Sequence, residues 1–411
     1  MIDKCRSCKS AKLKEIMSLG EQYLSDFVDD DSKPGKYPLD LVLCENCSLL
    51  QLREGPPLSA LYTDRYGYRS GINKTMRDHL EGIADTVEKI ATLSKGDVVI
   101  DIGCNDGTLL KSYKASGLVR VGYDPVGKFA REFEGSDILF INDYFNSKKF
   151  KTHCGSKKAK AITVISMFYD LEDPNVFIKD LYDIIDDQGV IVIQQNYLVE
   201  MLTENAFDNI VHEHLEYYSL LSMEHLLQRH GLMVFDVSVN NVNGGSFRTY
   251  ICATGKRSVS DSILKMRGHE RKMGLDWEKI YTEFAERIKN IKAELYALIE
   301  SEVSKGKKVY LYGASTRGNT LLQYCGLDGN LIGKALERNP EKWGKKIASV
   351  GIPIVSEEEG RKDNPDYMLV LPWFFRQEFL DREASYLDGG GKFIFPLPRV
   401  EVVSRDSLPK K

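Results

Sequence analysis

The sequence lacks any long apolar run, since no stretch approaches the roughly 20 consecutive apolar residues that cross a bilayer. Basic residues are not in excess either: 56 lysines and arginines face 60 acidic residues, for a net charge of -4. Polyanion binding needs a basic surface, so a nucleic-acid partner is disfavoured. The first residues, MIDKCRSCKS, contain no apolar signal core. We therefore expect a cytoplasmic protein with no membrane and no nucleic-acid partner.

The length of 411 residues is too great for one compact core. After a cysteine-rich start, β-rich apolar runs alternate with helical stretches, which predicts parallel sheets covered by helices on both faces. A charged helical stretch separates two such alternations. We predict an α/β protein with a cysteine-rich domain at 1–70, an α/β domain at 71–257, a helical connection at 258–304 and a second α/β domain at 305–411.

Four of the eight cysteines form two C-x2-C pairs, Cys5 with Cys8 and Cys44 with Cys47. Each pair can supply two thiolates to a tetrahedral Zn²⁺, and four thiolates leave no open position for water. In a reducing compartment this spacing favours a metal site over four free thiols. We predict a structural zinc ion bound by Cys5, Cys8, Cys44 and Cys47.

The segment VIDIGCNDGTLL reads as a buried strand, a glycine turn and the start of a helix. Asp101, Gly103 and Gly107 form the D-x-G-x-x-x-G signature of class I methyltransferases that bind S-adenosylmethionine (SAM). Asn105 stands where the dinucleotide fingerprint requires glycine, so a dinucleotide is disfavoured. Asp124, at the end of the next strand, can accept hydrogen bonds from ribose hydroxyls. We predict a SAM site formed by these residues.

The segment FDNIVHEHLEYYS, residues 207–219, allows three interpretations. A metal site is disfavoured because His212 and His214 are two residues apart, whereas the H-E-x-x-H motif places its histidines four apart on one helical face. The start of a helix without chemistry is the simplest interpretation. The glycine turn upstream and NGGSFR downstream favour an acid/base centre at Glu213 and His214, since imidazole accepts protons near neutral pH.

In this motif order the chain resembles the sugar C-methyltransferases of deoxysugar biosynthesis, which act on nucleotide-linked 4-keto-6-deoxyhexoses. The four cysteines and the segments DIGCNDGTLL, FDNIVHEHLEYYS, NVNGGSFRTYI and YGASTRGNTLLQYCG carry the resemblance over essentially the whole chain. It implies a Rossmann-like class I SAM methyltransferase domain between an N-terminal zinc-binding domain and a C-terminal Rossmann-like domain. It also implies base-catalysed removal of the C3 proton to give an enolate, followed by methyl transfer.

The resemblance assigns catalytic roles to particular positions. The family's base is the histidine of a tyrosine-x-Glu-His motif, which maps onto His214 with Glu213 beside it. A tyrosine of the stretch LYTDRYGYRSG also serves the active site, and Tyr62, Tyr66 and Tyr68 are the candidates, of which we favour Tyr66 and Tyr68.

Substrate contacts are expected from two further segments. In NNVNGGSFRTY the glycines permit close approach and the polar side chains offer donors, with an arginine suited to phosphate. The turn YGASTRGNT lacks the lysine of a P-loop, so we interpret it as a substrate contact. The predicted substrate-binding residues are Asn196, Asn243, Gly244, Ser246, Arg248 and Ser315.

Two positions depart from the family pattern. Val211 stands where the family has tyrosine, and Met167, which we expect beside the cofactor, stands where it has histidine. These two positions leave the identity of the methyl acceptor undecided. Two alternatives therefore stay: a SAM-dependent O-methyltransferase of a sugar or small molecule, and a zinc-ribbon RNA methyltransferase. We favour the hypothesis that the acceptor is a nucleotide-linked sugar. We expect the protein to be a monomer or a small homo-oligomer.

Overall fold

The computed structural model describes residues 1–61 and 68–408 of the chain. Tyr62 and Tyr66, two of the predicted active-site tyrosines, lie outside the described residues. Within the described part no helix is both long enough and apolar enough to span a membrane.

The N-terminal region forms an antiparallel sheet. Its strands are β1 (Leu13–Tyr23), β3 (Lys36–Cys44) and β4 (Leu50–Leu52), while β2 (Phe27–Val28) leaves to join another sheet and α1 (Leu58–Leu61) follows. The fourth strand of this sheet comes from far along the chain, as β10 (Glu216–Tyr217), and gives the order β1-β3-β4-β10.

The central sheet has seven strands, in the order β11-β12-β9-β8-β5-β6-β7. Five of them run parallel: β5 (Val98–Ile102), β6 (Val119–Tyr123), β7 (Ile138–Ile141), β8 (Ala159–Ile165) and β9 (Ile185–Asn196). The edge pair β11 (Leu232–Asn240) and β12 (Ser246–Ala253) is antiparallel. The helices are α2 (Lys74–Ala91), α3 (Thr108–Ser112), α4 (Ser147–Cys154), α5 (Pro174–Ile184), α6 (Leu198–Thr203) and α7 (Leu220–Gln228).

Helix α2 shows how the sequence pattern fixes an element of this layer. Asn73 caps its first turn by accepting a hydrogen bond from the Thr75 backbone N–H at 2.8 Å. Met76, Leu80, Ile83 and Val87 recur at helical spacing, and all four are buried. The helix therefore lies with one apolar stripe on the face of the central sheet and its charged stripe in water.

Two helices, α8 (Asp261–Met273) and α9 (Glu278–Ser304), lead to a third sheet. Its order is β19-β18-β17-β13-β14-β16-β15-β2, with parallel strands in the middle. The strands are β13 (Val309–Tyr312), β14 (Ala335–Glu337), β15 (Lys346–Ile347), β16 (Ile352–Ser356), β17 (Tyr367–Val370), β18 (Lys392–Phe395) and β19 (Glu401–Val403). The helices are α10 (Thr316–Cys325), α11 (Glu357–Lys362), α12 (Arg376–Arg382) and α13 (Ala384–Asp388).

The N-terminal region exchanges strands with both other regions. Strand β10 of the central region pairs with β4, and β2 of the N-terminal region pairs with β15 of the C-terminal sheet. The predicted α/β class is confirmed, although both sheets are mixed: their central strands run parallel and antiparallel strands form edges. The domain boundaries themselves stay predictions.

Candidate active site

A cavity of about 570 Å³ opens at the carboxyl ends of the central parallel strands. Ligands bind at this edge in open α/β sheets, and the volume suits a small-molecule ligand. Its wall is formed by the ends of β5, β6, β8 and β9, by the loop before β10 and by the start of α10. Residues from the central and C-terminal regions therefore meet at one site.

The glycine turn after β5 forms the floor of the cavity. Gly103 has φ of +75°, and a Cβ there would lie 3.0 Å from the Met167 Cγ, so backbone and Met167 are in contact. Asp124 accepts hydrogen bonds from the backbone N–H of Asn105 at 2.9 Å and of Val126 at 2.9 Å. The turn is thus fixed by the acid that we predicted to contact ribose.

Gly107 also has positive φ, but a Cβ there would lie 2.5 Å from the Phe133 ring and the residue does not line the cavity. Its predicted cofactor role is therefore limited to shaping the turn. Asp101, Gly103, Asn105, Asp124 and Met167 all line the cavity, and their contact with a cofactor stays a prediction.

Eight carboxylates line the cavity, those of Asp101, Asp124, Asp143, Asp170, Glu172, Asp173, Asp180 and Glu213. Burial, with repulsion from Asp124, raises the pKa of Asp101 to about 7 although Thr163 donates to it at 2.6 Å. Burial also raises the pKa of Asp124. A cationic ligand would relieve this repulsion, so the donor set fits the sulfonium and amino groups of SAM.

The far end of the cavity, which the sequence reasoning missed, is apolar and aromatic. Tyr144 and Phe145 follow β7, and Val176 and Phe177 face them from α5. Apolar and aromatic side chains in the same cavity as Asp124 fit the adenine ring of SAM. The signal in the sequence is the aromatic pair in INDYF, directly after the third parallel strand.

His214 is held in one orientation by the loop that precedes it. Its Nδ1 lies 2.9 Å from the backbone oxygen of Asn209, and an N–H must donate there because a carbonyl only accepts. Asn196, at the end of β9, donates to the Asn209 side chain at 2.7 Å and steadies that loop. In the neutral ring the other nitrogen, Nε2, therefore carries the free lone pair.

Burial and the nearby positive charge of Arg317 lower the pKa of His214 to about 3. The imidazole is consequently neutral throughout the physiological pH range. Burial raises the pKa of Glu213 to about 7, and both side chains line the cavity. Tyr169 covers the His214 ring with ring centroids 4.2 Å apart, while Val211 adds an apolar patch. The neutral ring keeps a free lone pair at the cavity, but the lowered pKa makes it a weak base unless negative charge develops beside it.

His212, left without a role by the sequence reasoning, is a structural residue. It is 3% exposed, and its Nε2 donates to the backbone oxygen of Tyr37 at 3.0 Å, across the boundary to the N-terminal sheet. Two residues after His214, β10 pairs with β4, and the Leu52 N–H donates to the Leu215 oxygen at 2.9 Å. The segment that carries the candidate base is therefore attached to the N-terminal sheet.

The wall opposite the cofactor turn contains Thr316 and Arg317, at the start of α10, and neither was predicted. Arg317 donates through Nη1 to the backbone oxygen of Asn243, and its Nη2 lies 2.8 Å from Asp208. Trp373 donates to the same carboxylate at 3.1 Å. The C-terminal domain thus completes the cavity.

The predicted substrate-binding residues are distributed unevenly. Asn196 and Asn243 line the cavity, whereas Gly244, Ser246, Arg248 and Ser315 do not. Ser246 donates to Val242 at 2.9 Å, Arg248 donates to Gln194 at 3.0 Å, and Ser315 caps α10. The last three side chains have structural partners, and Gly244 lies against Trp373. Tyr68 lines the cavity mouth and is 47% exposed.

The predicted zinc ligands converge. The ligand atoms of Cys5, Cys8, Cys44 and Cys47 all lie within 4.8 Å of one another, with Cys5 to Cys47 at 3.6 Å and Cys8 to Cys44 at 3.4 Å. Tetrahedral zinc with bonds of about 2.3 Å places its sulfurs about 3.8 Å apart, so the donor set fits Zn²⁺. Gln51 donates to the Cys5 sulfur at 3.2 Å, as a partner outside the ligand set.

Three family models match consecutive parts of the chain, one for each of its three sheets. A zinc binding domain model covers residues 5–62, a methyltransferase domain model covers 73–237, and a C-methyltransferase C-terminal domain model covers 241–398. The middle match contains the glycine turn and the candidate base, and the last contains Arg317.

A full-length relative is the C-methyltransferase NovU of Streptomyces niveus, 31% identical over 99% of this chain and 98% of its own. Among solved structures, a SAM-dependent methyltransferase from Clostridium acetobutylicum is 12% identical over 44% of this chain and 92% of its own, with a TM-score of 0.34. A methyltransferase complex from Haloferax volcanii is 14% identical over 43% of this chain and 94% of the other, with a TM-score of 0.32. These two scores are too low to carry an inference.

Proposed function

The chain belongs to the family of SAM-dependent C-methyltransferases with a zinc-binding head, and from this premise we propose that it methylates C3 of a nucleotide-linked 4-keto-6-deoxysugar. A carbonyl group acidifies the C–H bonds on the carbons next to it. Such an acceptor therefore needs a positioned base and a methyl donor at one cavity, and the residues that line this cavity fit both.

The reaction balances in two steps. His214 Nε2 accepts the C3 proton, the electron pair of that C–H bond forms a C=C bond, and the C4 carbonyl becomes an enolate oxygen. C3 then bonds to the methyl carbon while the S–CH₃ bond breaks, and the electron pair stays on sulfur. The carbonyl re-forms, and the proton leaves His214 for water. When bound, SAM supplies the electrophilic methyl group.

The observation that carries the proposal is the fixed tautomer of His214. The Asn209 oxygen accepts the Nδ1 proton at 2.9 Å, which leaves Nε2 as a proton acceptor on a cavity that also contains the cofactor turn. Glu213 lies beside it with a pKa near neutrality, and its carboxylate suits either a sugar hydroxyl or proton transfer.

The test uses the purified zinc-loaded protein with SAM and a panel of thymidine- and guanosine-diphosphate 4-keto-6-deoxyhexoses, deuterated at C3 and C5. The expected product is heavier by one CH₂ group, with the deuteron at C3 lost. Loss at C5, the other carbon next to the carbonyl, would move the reaction to that position. A methyl group on oxygen with both deuterons retained would establish the O-methyltransferase alternative instead.

His214→Ala tests the base. We expect the rate of methyl transfer to fall about 100-fold or more, in the range for a lost general base, while SAM affinity stays within about threefold. The control is His153→Ala, an exposed histidine on α4 that does not line the cavity. Near-normal turnover in His214→Ala would reject His214 as the base.

A further inference from the structure

Among the described residues that line the cavity, Arg317 is the one lysine or arginine, and it lies at the end that also contains His214, which we call the acceptor end. The wall otherwise contains carboxylates, neutral polar groups and apolar groups. A ligand oxygen that becomes negative during reaction therefore has a single cationic partner in the described wall.

Arg317 is fixed in place before any ligand binds. Its guanidinium pairs with Asp208, donates to the Asn243 oxygen and lies over the Phe374 ring at 4.9 Å. The side chain is 14% exposed. Its Nε and Nη2 are shielded from solvent and form no hydrogen bond to residues 1–61 or 68–408, although Nη2 is ion-paired with Asp208. A fixed cation at the cavity wall is suited to charge that appears only in the transition state.

The loop Asp208–Asn209 positions both reactive groups. The Asp208 carboxylate holds the guanidinium of Arg317 at 2.8 Å, and the Asn209 oxygen holds the ring of His214 at 2.9 Å. Because these two loop residues are consecutive, the cation and the base are held next to each other. The lowered pKa of His214, caused in part by the charge of Arg317, reflects the same closeness.

We propose that Arg317, supplied by the C-terminal domain, is a catalytic residue that donates a hydrogen bond to the acceptor's carbonyl oxygen and stabilises the enolate while His214 removes the neighbouring proton. Asp208 is its positioning residue. This inference rests on the proposed function and adds the electrophilic partner that the base requires, since the electron pair of the broken C–H bond must reach an oxygen.

The diphosphate of the substrate is the alternative binding partner of Arg317. A diphosphate carries two or more negative charges, whereas Arg317 is already paired with Asp208, so the pair is neutral overall. A neutral, buried pair beside the base is better suited to one developing oxyanion than to a permanent polyanion.

The test measures loss of deuterium from C3 of the accepted nucleotide-linked 4-keto-6-deoxysugar in water, with S-adenosylhomocysteine in place of SAM. Because no methyl donor is present, this assay measures enolate formation separately from methyl transfer. For Arg317→Met we expect the rate at saturating sugar to fall about 100-fold or more, the range for a lost oxyanion donor, with the Kd for the sugar within about threefold. Arg317→Lys should recover part of the rate.

Arg287→Met is the matched control, because Arg287 is also a partly buried arginine with inter-element hydrogen bonds, to Asn205 and Leu202, yet does not line the cavity. It should leave the exchange rate unchanged. If Arg317→Met does not fold, Asp208→Asn provides the test, because this variant retains the Arg317 cation but loses its ion-pair partner. It should slow deuterium exchange about 10-fold at unchanged SAM affinity.

A normal exchange rate at saturation in the Arg317 variants, with or without a raised Kd, would overturn the inference; a raised Kd alone would assign Arg317 to the diphosphate. These results leave the proposed function intact. A wild-type protein that catalyses neither exchange nor methyl transfer with any sugar in the panel would instead refute the proposed function, and this inference with it.

Discussion

Replacing Glu213 by glutamine should stabilise the ligand-free protein at alkaline pH, although it alters the candidate active site. Burial raises the pKa of the Glu213 carboxyl from its ordinary 4.5 to about 7. The folded chain therefore binds this proton more tightly than the unfolded chain, and the free energy of unfolding falls as pH rises from about 4.5 to about 7. Glutamine stays neutral at every pH and avoids this loss.

The magnitude follows from the same pKa. A change from 4.5 to about 7 corresponds to about 3 kcal/mol at pH above 7, where the wild-type carboxylate is fully charged in the cavity. Glu213 is partly exposed, so water screens some of this penalty, and we expect a gain of about 1 to 3 kcal/mol. Near pH 4.5 the gain should vanish, because the wild-type side chain is then protonated as it folds.

The assay is urea unfolding of wild type and Glu213→Gln at several pH values between 5.5 and 8.5, with zinc present and without SAM, whose positive charge would stabilise the carboxylate. The control is Glu294→Gln, an exposed acid on α9. The difference between variant and wild type should grow with pH for Glu213 and stay flat for Glu294. A difference for Glu213→Gln that is constant over pH would show that its carboxylate is well solvated and refute the argument.

Three further predictions concern the cofactor, the metal and the pH dependence. Gly103→Ala, at φ of +75° and against Met167, should raise the Kd for SAM at least about 10-fold by calorimetry, at a strain of about 1 to 2 kcal/mol; an unchanged Kd would remove the turn from the cofactor site. Metal analysis should find one zinc ion per wild-type chain and almost none in Cys44→Ser, which should also lower the Tm, whereas Cys252→Ser should keep the metal. The pH profile of wild-type kcat/KM should show no limb from His214 above pH 5, because its pKa is about 3. Glu213 and Asp101 both have a pKa of about 7, so Glu213→Gln should change the profile near pH 7 without abolishing the limb that comes from Asp101.

The sequence was sufficient where the chemistry is local. The glycine turn works through neighbours in the chain, so its spacing alone located Gly103 and Asp101, and both line the cavity. The zinc site could be predicted from the four cysteines in the same way, because zinc binding restricts the spacing within each C-x2-C pair. The predicted alternation of strands and helices followed from apolar periodicity, which depends only on neighbouring residues.

Contacts between distant segments could not be predicted in the same way. Arg317 meets Asp208 across two domains, and although both residues lie in segments that carry the family resemblance, neither segment predicts that they pair. Arg248 has the right chemistry for substrate, but the pairing of β12 with β9 directs it to Gln194. Strand pairing, which decides which face each side chain takes, is a property of the assembled sheet.

The N-terminal sheet explains why a zinc site without chemistry of its own accompanies this reaction centre. Between Asn209 and β10 the chain has no regular secondary structure, yet it must hold His214 within hydrogen-bonding distance of one oxygen. The N-terminal sheet supplies the missing order through Tyr37, which accepts from His212, and through Leu52, which donates to Leu215. Because β3 ends at a predicted zinc ligand, Cys44, and β4 begins three residues after another, Cys47, a bound metal would fix the strands that hold the candidate base. We therefore expect loss of zinc to reduce activity through the position of the His214 imidazole.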